Sequence, residues 1–424
     1  MNICKKIYCR TFQTALRAAL PVLPYRKPKL LKSTSCLPVL FRQKNIQRVL
    51  LITDASIRGF GITKPLEKAF RSSGIYCFVY DRTVANPTSD NVEEARMLYL
   101  KNSCQAVIGL GGGSSIDCAK AVGARIAKPK QQLADMEGIL KVHKRLPMLV
   151  AIPTTAGTGS EATLAAVITD SKTRHKYPIN DFPLIPHYVV LDPEVTRSLP
   201  KSVTATTGMD ALTHAVEAYI GRSTTAETRA DAIKSVQLIF HYIDRAYQDG
   251  NDMKARSNML RAAYLAGSAF SKSYVGYVHA VAHSLGGRYN IPHGLANAIL
   301  LPHVLEAYGT AAHKKLAELA AAVGIHASFE QQAAEEFIQA IRDMKLRLHI
   351  PDVIPEIQAE DVPALARIAA KEGNPLYPVP VLMDAKALEQ FYYAVMEEKN
   401  EIRTYPQHRI RTETVFQQRH HTAS

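Results

Sequence analysis

A two-part α/β protein is what this sequence predicts: a doubly wound parallel sheet in the first half, then an all-α second half. Three observations carry the prediction. Before Pro193, five short apolar or β-branched runs alternate with helical stretches. After it such runs vanish, and long segments with apolar residues at three-to-four spacing take over. Three consecutive glycines, Gly111, Gly112 and Gly113, stand where one of the strands meets a helix. A chain of 424 residues exceeds one ordinary core, and two domains accommodate it. With 47 % hydrophobic residues the composition is globular, neither disordered nor fibrous.

The chain opens with a basic arm over 1–45. Residues 1–53 carry eleven Lys and Arg and no Asp or Glu, which accounts for all but +3 of the formal net charge of +14. Nucleic-acid binding needs cations clustered on a folded face, so this distribution argues against it. Within the arm, Thr11–Leu23 reads as a short amphipathic helix ended by Pro21, Pro24 and Pro28. The acid-free start also fits a mitochondrial leader, whereas Arg17 interrupts the apolar region that a secretory signal needs.

The α/β part is expected over 46–198. Its strands are Gln47–Thr53, Tyr76–Asp81, Gln105–Leu110, Met148–Pro153 and Tyr188–Asp192, and Lys64–Ser72, Asn91–Lys101 and Ser115–Ala127 read as the helices between them. The change of character falls at about 197–201, punctuated by Pro200. A helical part follows over 199–402, including Thr206–Ile220, Ala226–Ala246, Met253–Ser271 and Phe329–Leu346. The remainder, 403–424, is polar and without helical periodicity. Six cysteines at 4, 9, 36, 77, 104 and 118 show no C-x-x-C pair or tight disulfide spacing, which favours a reducing compartment, the cytoplasm. No uncharged apolar run reaches the ~18 residues of a membrane span.

The glycines belong to Ala106-Val-Ile-Gly-Leu-Gly-Gly-Gly-Ser-Ser-Ile-Asp117, a strand-to-helix turn that lets backbone N–H groups approach a phosphate. Ser114 is expected to cap the helix and to add a hydroxyl. Glycines at such a junction also make an ordinary tight turn, and their spacing departs from G-x-G-x-x-G, so a dinucleotide here would occupy a variant site. A second polar turn, Pro153-Thr-Thr-Ala-Gly-Thr-Gly-Ser-Glu161, is expected beside the first at the carboxyl edge of the sheet. The same residues read as a helix start, with Thr158 or Ser160 as cap and Glu161 in the first turn. Asp54, directly after a strand, is either a turn residue or the acceptor for an adenosine ribose. In the second role its charge repels a 2′-phosphate and favours NAD over NADP.

In the helical part, Gly208-Met-Asp-Ala-Leu-Thr-His-Ala-Val-Glu217 sets Asp210 and His214 at i and i+4, on one helix face. Val278-His-Ala-Val-Ala-His283 repeats the spacing with two imidazoles, and His293 follows in Asn290-Ile-Pro-His293. One carboxylate and several imidazoles on neighbouring helices suit Fe2+ or Zn2+. Each residue has a plainer role as well. Thr207-Gly-Met-Asp210 is a capping-box pattern, His279 and His283 fit satisfied core histidines, and His293 after Pro292 fits a helix start. Jointly these roles weaken, because apolar surroundings imply burial and an unpaired buried polar group costs roughly 1–3 kcal/mol.

In these motifs, with Gly373-Asn-Pro375 and in this order, the chain resembles the iron-containing (group III) alcohol dehydrogenase family from about residue 45 to about residue 400. The resemblance implies an N-terminal dinucleotide domain, a C-terminal helical metal domain and the dehydroquinate synthase-like superfamily architecture. It implies Fe2+, with Zn2+ the alternative, held by Asp210, His214, His279 and His293, and it makes His283 a catalytic neighbour of metal and nicotinamide. Asp54, Asn86, Gly112, Gly113, Thr154, Thr155 and Lys176 match cofactor contacts, and Gly111, Ser114, Asp117 and Thr158 complete the set in the two turns. The implied reaction is NAD-linked hydride transfer between a small primary alcohol or diol and its aldehyde. A zinc-dependent polyol or glycerol-type dehydrogenase of the same superfamily is the alternative. Expected partners are that small molecule and a second copy of the chain in a homodimer, with no nucleic acid and no membrane. The arm exceeds the family's usual lead.

Overall fold

A computed structural model describes residues 1–396, so the polar stretch expected over 403–424 lies outside the described residues. The first part comprises α1 (Ile3–Ala19), β1 (Lys29–Leu31), α2 (Leu37–Gln43), β2 (Arg48–Ile52), α3 (Ala55–Gly59), α4 (Lys64–Ser72), β3 (Tyr76–Tyr80), α5 (Ser89–Lys101), β4 (Ala106–Gly111), α6 (Gly113–Ala127), β5 (Gly138–Ile139), β6 (Met148–Pro153), β7 (Ala165–Thr169), β8 (Lys176–Asn180) and β9 (Tyr188–Val190). The second comprises α7 (Lys201–Ile220), α8 (Ala226–Gln248), α9 (Met253–Ser273), α10 (Tyr277–Tyr289), α11 (His293–Tyr308), α12 (Thr310–Ala322), α13 (Glu330–Arg347), α14 (Val362–Gly373) and α15 (Ala385–Val395). The expected strands and helices are present, with shifts of a few residues at their ends.

The main sheet is parallel throughout, in the order β1-β9-β6-β4-β2-β3. Val49, Leu50, Leu51 and Ile52 are fully buried, as are Val107 and Ile108, because helices cover both faces. One face packs on Leu37, Phe41 and Phe70, the other on Val92, Ala119 and Val122. The chain runs from β2 outward to β3 and then back past β2 to β4. Between β2 and β4 the winding therefore reverses, and the carboxyl ends of these strands open a crevice suited to a ligand. Asp54 and the three glycines stand at that crevice.

Residues 1–45, the expected basic arm, pack against the rest of the chain. The helix expected at Thr11–Leu23 begins at Ile3, where the Asn2 side chain accepts from Lys5 N at 2.9 Å, and α1 docks on the helical half through buried Cys9 and Gln13. Lys29–Leu31 then joins the sheet beside β9, and Leu37 and Phe41 enter its core. A second, three-stranded sheet, β5-β8-β7, lies outside the expected set of strands. Its strands β7 and β8 alternate buried Ala166, Ile168, Tyr177 and Ile179 with polar or less buried neighbours, the period-two pattern of a half-buried sheet. Among the described residues, no helix is long and apolar enough to cross a membrane.

Candidate active site

Gly112 is the N-cap of α6 and makes no side-chain capping bond, so Ser114 lies inside the first turn rather than capping it. First-turn N–H groups are thereby left to face an anion. Gly111 has φ +154°, and a Cβ there would lie 2.7 Å from Ser115 Cβ. At Gly113 a Cβ would approach Thr158 to 3.1 Å, and Thr155 packs beside Gly112. The two polar turns are thus in contact, tied further by Thr154 N donating to the Gly111 carbonyl at 3.0 Å.

Asp54 is a turn residue at the start of α3. Its Oδ1 accepts from Ile57 N at 2.9 Å and caps α3, while Oδ2 faces the glycine turn, 3.5 Å from Ser115 Oγ. Asn86, at φ +57°, donates its N–H to Ser114 Oγ at 3.3 Å and accepts from Lys176 Nζ at 2.7 Å. Asp54, Asn86, Gly111 to Ser114, Thr154, Thr155, Thr158 and Lys176 therefore share one rim. Asp117 sits behind it, with Oδ1 accepting from Ser160 Oγ at 2.5 Å and Oδ2 from Val167 N at 3.0 Å. Those bonds give it a bracing position. The turn 153–161 ends in a short 3-10 segment, Ser160–Ala162, capped by Gly159 rather than by Thr158 or Ser160. Burial pushes the Glu161 carboxyl there up to about 7.

Across the crevice, α7, α10 and α11 bring together Asp210, His214, His279 and His293, whose candidate ligand atoms all lie within 4.8 Å of one another. His283, one turn beyond His279, stacks on His293 with ring centroids 5.0 Å apart. Its Nδ1 is 2.6 Å from Glu372 Oε1, which also accepts from Tyr377 OH at 2.6 Å. Burial is the main cause that lowers the pKa of His293, and Lys176 on the rim adds a small contribution in the same direction.

Spacing did not single out Glu217, Asn297, Glu372 or Tyr377. Glu217 was nevertheless within reach of pattern reasoning, since it follows Asp210 and His214 at i+7 on one helix face. Its Oε2 accepts from His279 Nδ1 at 2.6 Å and from Gly276 N at 2.8 Å, and its Oε1 from Val278 N at 2.9 Å. That arrangement turns the Nε2 lone pair of His279 into the cluster. Asn297 Nδ2 lies 2.7 Å from Asp210 Oδ1, 3.0 Å from His293 Nε2 and 3.2 Å from His279 Nε2. One amide group with two hydrogens therefore serves three acceptors, while His214 Nδ1 is buried without a partner. Burial holds His214, His279 and His293 below their ordinary pKa and hence neutral. Lone pairs converging with too few protons, around one carboxylate, fit a divalent cation.

Family models match the chain as "Iron-containing alcohol dehydrogenase" over residues 32–193 and as "Fe-containing alcohol dehydrogenase family, C-terminal" over 204–396.

The chain belongs to the iron-containing alcohol dehydrogenase family.

It is therefore an oxidoreductase that interconverts alcohols and aldehydes. Helix α1 lies outside the stretches the family models match. Alcohol dehydrogenase 4 of Schizosaccharomyces pombe is 37 % identical over 377 residues, covering 86 % of this chain and 88 % of its own. A crystal structure of a 1,3-propanediol oxidoreductase superposes with a TM-score of 0.84 at 33 % identity, over 87 % of this dehydrogenase and 98 % of that chain. Sulfoacetaldehyde reductase from Bifidobacterium kashiwanohense, solved in complex with NAD+, gives a TM-score of 0.78 at 28 % identity, with coverages of 88 % and 98 %.

Proposed function

We propose that this family member is an NAD-linked, Fe2+-dependent dehydrogenase of a small primary alcohol or diol, working in the cytoplasm. The cation is held by Asp210, His214, His279 and His293. The convergence of these four ligands, three of them on one over-subscribed Asn297 amide and with His214 Nδ1 unpartnered, is the observation that carries the reading. NAD lies along the rim of Asp54, Asn86, Gly111 to Ser114, Thr154, Thr155, Thr158 and Lys176. Asp54 supports NAD over NADP, because its Oδ2, which faces the glycine turn, would accept from a ribose hydroxyl and would repel a 2′-phosphate. The six cysteines, all free, support a reducing compartment.

When bound, the cation would supply Lewis-acid polarisation of the substrate oxygen, and the nicotinamide would supply the hydride acceptor. The chain's own residues prepare for this. The carboxylate and neutral imidazoles would leave a dipositive ion with about one net positive charge, which favours an oxyanion over an alcohol. Glu217 keeps His279 in one tautomer, and Glu372 holds the Nδ1 side of His283 so that its other nitrogen is available to carry a proton away.

The decisive experiment strips metal anaerobically, refills with Fe2+ or Zn2+, and follows NADH formation over a panel of alcohols and diols. Refilled enzyme is expected to be active and chelated enzyme inert, with His283→Asn altering the pH profile. Chelator-insensitive turnover would remove the metal assignment, and a preference for NADP would remove that of Asp54. Sedimentation of the same preparation reads the expected homodimer.

A further inference from the structure

Helix α1 reaches toward the catalytic cleft through a short series of contacts. Gln13 is a buried polar side chain, only 4 % exposed, on a helix whose outer face is solvated. Its amide Nε2 donates to the Pro375 carbonyl at 3.0 Å and to the Tyr377 carbonyl at 2.7 Å. Arg10, one turn earlier, donates to Gln13 Oε1 at 2.9 Å and so orients that amide. The same guanidinium donates to the carbonyls of Val379 at 2.7 Å and Pro380 at 2.8 Å. Four consecutive hydrogen bonds from α1 thus hold the turn 375–380 by its backbone. The side chain of Tyr377 leaves this turn to donate to Glu372, which engages His283. From the other side Tyr277, at the start of α10, bonds Asn374 and Met383 and fixes the ends of the same loop.

We propose that α1 is a brace for the reacting side of the cleft. Gln13, oriented by Arg10, is a positioning residue that fixes Tyr377, and through Tyr377 and Glu372 it fixes the ring of His283. A buried amide spent entirely on two carbonyls of one turn, with its own oxygen clamped, is an expensive arrangement for merely docking a helix, which apolar contacts accomplish. The proposal rests on the reading of His283 as neighbour to the reacting atoms. It concerns a segment outside the stretches the family models match.

The test uses full-length, metal-refilled enzyme carrying Gln13→Met, which keeps the side-chain volume and removes the amide. Expected is a loss of about five-fold in kcat, the scale of one hydrogen bond. Metal content and KM for NAD should not change. In a Tyr377→Phe background the same substitution should cost less than about two-fold, because the path it acts through is already cut. Amide exchange at Tyr377 and Val379 should accelerate. Unchanged kcat with unchanged exchange overturns the proposal, and so does an effect of Gln13→Met that is equally large in the Tyr377→Phe background. Should Gln13→Met fail to fold, Arg10→Lys frees the amide while keeping the helix charge, and the same outcomes apply to it. If refilled wild-type enzyme oxidises no alcohol, the reading of the site fails, while the exchange measurement still judges the brace.

Discussion

Glu217 is fully enclosed, and its two oxygens accept three hydrogen bonds from Gly276 N, Val278 N and His279 Nδ1. In Glu217→Gln one of those oxygens becomes an NH2 group, so a donor meets a donor and His279 loses its fixed tautomer. We expect affinity for Fe2+ or Zn2+ to fall about ten- to hundred-fold, the usual cost of losing such a partner, measured by chelator competition. Unchanged affinity would show that Glu217 does not orient a ligand. His187 is a second residue whose protonation state is built into the fold. Its Nδ1 accepts from Leu149 N at 3.1 Å, and burial, with Arg26 and Arg145 nearby, lowers its pKa from 6.5 to about 4. The unfolded chain binds the proton first as pH falls, so this contribution to stability is intact above pH 6.5 and is lost progressively between pH 6.5 and about 4. His187→Asn keeps an acceptor that does not titrate, and it should flatten the fall of Tm across that window. An unaltered slope would assign the acid sensitivity elsewhere.

At the scale of elements, the turn 153–161 owes its position to α9. Gly159 adopts φ +60° and a Cβ there would lie 2.7 Å from Gly267 Cα, while a Cβ on Gly267 would lie 2.9 Å from Gly159 Cα. Turn and helix cross with backbone against backbone, so neither can yield. Gly267→Ala should cost about 2–3 kcal/mol in stability and weaken NAD binding by displacing Thr154, Thr155 and Thr158. Calorimetry and a cofactor titration check both effects, and normal NAD affinity in a folded variant would refute the link between α9 and the rim. Legibility in the sequence follows the same local logic. Strands such as β2, β4 and β6 announce themselves because burial on both faces demands unbroken apolar runs. β1 does not, because three residues, Lys-Leu-Leu, at a sheet edge carry no period. The first residues of α1 are hard to read because Ile3, Ile7 and Tyr8 remain exposed, so its apolar stripe is incomplete. Asp210 with His214, and His279 with His283, are legible because i and i+4 share a helix face. Glu372 lies 89 positions from His283, and only packing of α14 on α10 joins them.

For the whole molecule, the division of labour follows from where each half can place its polar groups. The parallel sheet ends in turns whose N–H groups and hydroxyls suit a phosphate-bearing cofactor, and the helical half offers closely packed faces that suit a cation. Neither half alone holds both, so the cleft between them is where the chemistry must occur. The positive charge of the first 53 residues is spread over a docked helix, an edge strand, the α2 segment, the connections between them and the start of β2. That arrangement has a mechanical consequence. Helix α1 is fixed to the helical half and β1 to the sheet, so the backbone passes between the halves over residues 20–28 as well as over 191–200. Tyr25, bonded to the Ser271 carbonyl, and Arg26, bonded to the Pro186 carbonyl, pin the first of these passages to both sides. A body joined to another at one point can swing in any direction, whereas two points of attachment define an axis. Any movement of one half against the other would therefore have to be accommodated at both crossings at once, which restricts its direction more than a single linker would.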